Sequence, residues 1–365
     1  MSSLIKVGIT HGDVNGIGYE VLLKAFSDDR LLELFHPVIY GSSKSASYHR
    51  KVMEGDPVNF HIISKVEESQ EGKINLLNCV KEEIRIELGT ASAEAGESAY
   101  IALDQATNDL ANGKIDLLVT LPINKESIQQ EKFQFPGHTE FLQDRFAKDN
   151  EKALMILATE VLRVALVTTH VPIAEVPSKI SKELILEKLY TLDHSLRRDF
   201  LLENPRIAVL GLNPHAGENG LLGREEIDII APAVREAQDK WILCAGPFPA
   251  DGFFGSGRFK EFDAILAMYH DQGLIPFKTL AMDAGVNFTA GLPIVRTSPD
   301  HGTAYNIAGK NLASDESFRQ AIYMGIDILK NRLFYDEARK NPLKKMFFDR
   351  GKDDEKLDLT KEETE

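Results

Sequence analysis

Three histidines each follow a short apolar run. RVALVTTHVP carries His170, RIAVLGLNPHAGENG carries His215, and AILAMYHDQGLIPFK carries His270 with Asp271 beside it. Neutral imidazoles suit zinc or another borderline divalent ion, and three of them leave positions open for substrate. Asp271 and Glu218 are placed to fix the ring tautomers. For any one of these histidines a capping or turn role is the ordinary reading. What favours a shared site is the repetition at one kind of place, the carboxyl end of a strand. The spacing matches no compact metal motif such as HExxH.

Other residues suit an anion. FPGHTEF puts His138 and Thr139 just after Pro136-Gly137 at a predicted helix start, where exposed N–H groups favour phosphate or carboxylate. Lys278, Asn287 in GVNFTAG and Arg296 in GLPIVRTSPDHG lie in or beside stretches marked by glycine and proline. An isolated lysine or arginine is usually a solvated surface charge. Beside a site, the planar fork of arginine fits a carboxylate or phosphate. GITHGDVNGIGYE follows the first strand, but its glycines do not make GxGxxG, and the second strand ends in Tyr40-Gly41-Ser42 with no acid for a ribose. These glycines read as a tight strand-to-helix turn. PDHGTAYNIAGK, at 299–310, reads as a loop.

The elements that carry these groups alternate. Apolar runs at Ile5–Ile9, Pro37–Tyr40, Ile115–Val119, Val164–Val167, Ile207–Leu210, Ile242–Ala245 and Ala264–Met268 predict strands, with amphipathic segments between. Ala99, Leu103, Ala106 and Leu110 share one helical face, closed by Gly113. Phe318, Ile322, Ile326, Leu329 and Leu333 trace another stripe, opened by Ser314. The pattern predicts an α/β protein with a largely parallel sheet covered by helices, in which strand carboxyl ends share an edge.

A chain of 365 residues, 43% hydrophobic and 27% charged, predicts a packed protein of two domains. The net charge of −14 argues against nucleic acid as a partner. No stretch has signal-peptide or membrane-span length, and Cys79 and Cys244 are too few for a disulfide scaffold, so a cytoplasmic location is expected. Residues 349–365 read as a charged tail.

Taken in order, GDVNGIGYE, FPGHTE, VTTHVP, LNPHAGENGLLGREE, MYHDQGLIPFK and GVNFTAGLPIVRTSPDHGTAYNIAG resemble the motifs of the 4-hydroxythreonine-4-phosphate dehydrogenase family, from about Val7 to Gly309. The resemblance implies an isocitrate/isopropylmalate dehydrogenase-like fold: two α/β domains, here 1–125 with 305–348 and 126–304, flanking a cleft. It further implies a homodimer with the site at its interface. Carried over by position, it makes His170, His215 and His270 ligands of one divalent ion (Zn, Mg or Co). It makes His138, Thr139, Lys278, Asn287 and Arg296 contacts of a small phosphorylated amino acid. Asp300, His301, Gly302, Thr303, Ala304 and Asn306 fall in the loop that would hold NAD or NADP. The first motif departs from the family's GDPAGIGPE at Val14, Asn15 and Tyr19.

The implied reaction oxidises the C3 hydroxyl of 4-phosphooxy-L-threonine, in vitamin B6 synthesis, to a 3-oxo acid that loses carbon dioxide to give 3-amino-2-oxopropyl phosphate. His138, Lys278 and Asp271 are the candidate proton acceptors. The alternatives are a sister dehydrogenase acting on 4-phospho-D-threonate or 4-phospho-D-erythronate, a three-histidine phosphoester hydrolase, and a non-catalytic binding protein.

Overall fold

The computed structural model describes residues 4–53, 58–80, 84–129, 133–148 and 151–341, so the tail expected at 349–365 lies outside the described residues. Twelve strands join in one sheet: β1 Lys6–Thr10, β2 His36–Gly41, β3 Phe60–Ile63, β4 Ile74–Asn78, β5 Leu117–Thr120, β6 Leu154–Ala158, β7 Arg163–Leu166, β8 Ile207–Leu210, β9 Cys244–Phe248, β10 Ala264–Ala267, β11 Val286–Ala290 and β12 Arg296–Pro299. Their order is β3-β4-β2-β1-β5-β12-β11-β6-β7-β10-β8-β9. Every apolar run read as a strand overlaps one, and the alternation gives the expected α/β architecture.

Two parallel blocks make up the sheet. One comprises β1 to β5 with β12, the other β7, β10, β8 and β9. Between them β11 runs antiparallel to both β12 and β6, and β6 antiparallel to β7. The blocks therefore point in opposite directions. The carboxyl ends of β7, β8 and β10 share one edge, as the histidine pattern requires, but not the edge at which β1 and β5 end.

Most strand interiors are sealed, including Val7, Ile9, Leu117, Val119, Ile207, Val209 and Leu266, all at 0% exposure. Burial on both faces is what continuous apolar runs encode. The helix Ala93–Ala111 is capped by Ser92, whose hydroxyl accepts from the Ala95 N–H, and it buries Ala99, Leu103, Ala106 and Leu110 as expected. The long helix Glu316–Arg339 packs on β5, β11 and β12. Its predicted stripe fails at the end: Leu333 is 64% exposed, while Ile328 and Arg332 are buried. Arg332 turns inward because it bonds the buried Asp199 carboxylate at 2.6 Å and the Leu292 and Ile294 carbonyls.

The glycines after β1 do shape a tight turn. Gly12 has φ +69°, and a Cβ there would lie 2.4 Å from the Pro122 carbonyl oxygen. A Cβ on Gly16 would lie 2.8 Å from the Thr303 carbonyl oxygen, which accepts the Ile17 N–H. The altered residues of this turn anchor it. Asn15 bonds Thr90, Ser92 and Glu87, and the Tyr19 hydroxyl bonds Ser42.

Candidate active site

A cavity of about 270 Å³ lies over the antiparallel middle of the sheet. Its floor is a sheet face. Side chains alternate across a strand, so residues two apart, and those paired directly opposite, look the same way. Asn287 is paired with Ser298 and with Leu157, Thr289 with Met155, and Arg296 with Leu118 two residues before Thr120. Thr120, Arg296, Ser298, Asn287 and Leu157 thus face the cavity together. Thr297, on the opposite face, donates to Ala321 O of the covering helix.

Arg296 is 3% exposed, and its guanidinium bonds only threonine hydroxyls. It has no ion pair within 4.0 Å among the described residues. Burial pulls its pKa down to about 9. An uncompensated buried cation is costly, which marks the place an anion would fill.

The walls come from the loops. The helix His138–Phe146 starts where expected, with Gly137 in the capping position, and presents His138, Thr139 and Glu140. His138 Nε2 is buried with no hydrogen-bond partner among the described residues. Burial first, then Arg296 and Lys125, holds its pKa well below the usual value, so the imidazole is neutral at pH 7. Asn287 Oδ1 and His301 Nε2 are likewise buried and without a partner among the described residues. Lys278 is half-exposed, 3.5 Å from the Asp300 carboxylate. Asp300, His301 and Gly302 line the cavity; of the remaining residues expected to bind cofactor, Thr303 packs under the first turn, and Ala304 (φ 47°) and Asn306 lie outside the lining.

His170 and His270 both line the cavity, their ring centroids 6.1 Å apart. His270 Nδ1 lies 2.8 Å from Asp271, which orients the ring and leaves Nε2 available. Asp271 itself lines a neighbouring pocket, and so does His215. Among the described residues no three His, Cys, Asp or Glu side chains stand close enough to hold a metal ion. The donors fit a borderline divalent ion in kind, but within one chain the structure brings together two of the three.

His215 sits in an unusual turn. Residues His215 to Asn219 have φ of 52°, 50°, 82°, 43° and 54°, a left-handed run that costs about 1–3 kcal/mol for each non-glycine residue. Glu226 compensates from a π-helical turn, Glu226–Ile230. Its buried carboxylate accepts the Leu212 and Asn213 N–H groups at 2.8 and 2.7 Å and the Asn213 side chain at 3.0 Å. Gln272 ties the same edge. Past the last β10–β8 pair its Oε1 accepts the Met268 N–H at 2.7 Å while its Nε2 donates to Gly211 O at 2.6 Å. A side-chain amide thereby replaces a peptide group between diverging strands. The Thr168 hydroxyl adds a bond to Met268 O, joining the segment of His170.

Lys125 was not singled out in the sequence, yet its Nζ lies 2.9 Å from His170 Nε2 and it lines the cavity. Glu140, 3.8 Å from His170 Nδ1, was missed too; contact with His170 lowers its pKa. The nearest signals were PINK after β5 and the Glu that follows His138-Thr139, each too ordinary to stand out alone.

Residues 33–325 match the family of the pyridoxal phosphate biosynthetic protein PdxA. A 4-hydroxythreonine-4-phosphate dehydrogenase of Bacteroides thetaiotaomicron is 54% identical over 97% of both chains. A D-threonate 4-phosphate dehydrogenase of Cupriavidus necator is 37% identical over 89% of this chain and 98% of its own. Among solved structures, a Klebsiella pneumoniae 4-hydroxythreonine-4-phosphate dehydrogenase superimposes with TM-score 0.75 at 34% identity, covering 90% of this chain and all of that one.

Proposed function

The chain belongs to the PdxA family, and from that premise we propose that it oxidises 4-phosphooxy-L-threonine with NAD or NADP, in a metal-dependent reaction of vitamin B6 synthesis. The observation that carries the reading is Arg296, a buried guanidinium that bonds threonine hydroxyls and, among the described residues, has no carboxylate partner, on the floor of a small cavity. Such a group asks for an anionic substrate. Lys278 and Lys125, at the rim, add positive charge on a chain of net −14, where a local cluster is needed to draw an anion in.

When bound, a divalent ion held by His170, His270 and His215 would lower the pKa of the C3 hydroxyl, and nicotinamide would take the hydride. Arg296 and Asn287 hold one end of the substrate, with Thr139 on the opposite wall. His138 is neutral with Nε2 free, the state needed to accept the hydroxyl proton as the C3 hydride leaves. Asp271 orients His270 from outside the cavity, which favours His138 over it as acceptor. Leu157 and Leu274 line the apolar side and limit water. Because His215 opens on the neighbouring pocket, we read the metal set as completed between two copies of the chain. Co-expressed His215→Ala and His270→Ala chains should then recover activity that neither has alone.

The second reading, oxidation of 4-phospho-D-threonate, is supported by the relative from Cupriavidus necator. NADH formation with each substrate, with and without chelator, separates them. Chelator-sensitive turnover of the amino acid supports the first; turnover of the sugar acid alone moves the enzyme to the second.

A further inference from the structure

We propose that Thr120 and Thr289 are positioning residues for the substrate anion. By offering Arg296 neutral hydroxyls instead of a carboxylate, they fix its guanidinium plane and leave its charge to the ligand. The inference rests on the reading of the cavity as an anion site, and adds the residues that make it one.

The geometry is specific. Arg296 Nε and Nη2 both donate to Thr120 Oγ1, at 3.0 and 2.5 Å, and Nη1 donates to Thr289 Oγ1 at 3.1 Å. A guanidinium has five N–H donors. These bonds use three and leave one on each terminal nitrogen for a ligand. Thr120 is 0% exposed and Thr289 is 1% exposed, so neither is a solvated surface hydroxyl. They approach from the two sides of β12, Thr120 from the parallel neighbour β5 and Thr289 from the antiparallel neighbour β11. Strand register thus sets the plane of the fork, and a planar fork binds carboxylate or phosphate well only when its plane is fixed.

Chemistry decides why hydroxyls stand here. A carboxylate at either position would form a buried ion pair and occupy the charge before substrate arrived. An aliphatic side chain would strand buried N–H donors and let the guanidinium swing. A threonine accepts the donors without neutralising them. Glu140 is the acidic group that influences Arg296, and it makes no ion pair with it.

The test uses the full chain with Thr120→Asp, Thr120→Val and Thr120→Ser, measuring KM and kcat with 4-phosphooxy-L-threonine and protection against heat by inorganic phosphate. Thr120→Ser keeps the hydroxyl and should stay within about threefold of the parent KM. Thr120→Val should raise KM by about tenfold, the worth of a hydrogen bond to a charged group. Thr120→Asp should raise KM by at least about a hundredfold and abolish phosphate protection without lowering the melting temperature. Should it not fold, Thr289→Asp carries the same expectation, and the Ser and Val pair still decides. A folded Thr120→Asp protein with parent-like KM and phosphate protection would overturn the inference. A parent protein that oxidises neither phosphorylated acid, yet gains phosphate protection that Thr120→Asp loses, would sink the proposed function and leave this inference standing.

Discussion

The cavity has two kinds of wall. Its floor is a sheet face, where Thr120, Thr289 and Arg296 are at most 3% exposed and cross-bonded across three neighbouring strands. Its rim is made of strand ends, where the side chains of His170 and His270 are 41% and 40% exposed. The floor inherits its geometry from ladder hydrogen bonds and needs no extra device. The rim has no ladder, so Gln272, Thr168 and Glu226 supply bonds that the backbone no longer makes. On our reading the floor is therefore pre-set for an anion, while the rim must be held in place and completed by a second copy.

The comparison breaks most visibly at the histidines. His215→Asn should lower turnover at least about a thousandfold with a near-parent melting temperature, because asparagine tolerates the left-handed φ of 52° while removing the imidazole. Steady-state rates and metal content of the purified variant check it; normal turnover would remove His215 from the site. Arg296→Leu attacks the floor instead. It should raise KM about a hundredfold or more with a smaller change in kcat, read from full saturation curves.

Gln272→Met tests whether the rim depends on its substitute peptide group. About a tenfold to hundredfold loss in kcat/KM is expected, with weaker cobalt binding by titration and only a small loss of stability, since the ladder beneath is intact. Unchanged cobalt affinity would show that the strand ends hold themselves.

The smallest effect concerns the support beneath the floor. His11 and His49 are buried beside the turn after β1, the strand paired with β5, and burial holds both pKa values at about 4. Their folded pKa lies below the unfolded value near 6.5, so the unfolded chain binds the extra protons. Stability from keeping them neutral is fully present above pH 6.5 and lost as pH falls toward 4, on the order of 3 kcal/mol per group at the limit. Melting temperature should decline over that window, and less steeply in His49→Gln; an identical pH profile would rule His49 out.

Much of the rim was readable in one dimension. The strands before His170, His215 and His270 are short apolar runs, and a run that ends in a polar residue locates a strand end by local pattern alone. The turn at Gly12 and the helix start at His138 were equally local. β11 and β12 were not. VNFTA alternates apolar and polar residues, the pattern of a half-exposed strand, and RTSP is three polar residues and a proline, so nothing marks either as the buried middle of a sheet. Nor did the chain reveal that its two parallel blocks point in opposite directions, since direction depends on which strand pairs with which.

By itself, then, the sequence determined the α/β class, the strand-end histidines and the family motifs, all carried by residues near one another in the chain. The tertiary structure decided that Arg296 has hydroxyls in place of a carboxylate, that Lys125 meets His170, and that His215 opens away from His170 and His270. Thr120 and Arg296 lie 176 residues apart and Lys125 and His170 45 apart; such partners are chosen by strand order and register, and no local pattern encodes the choice.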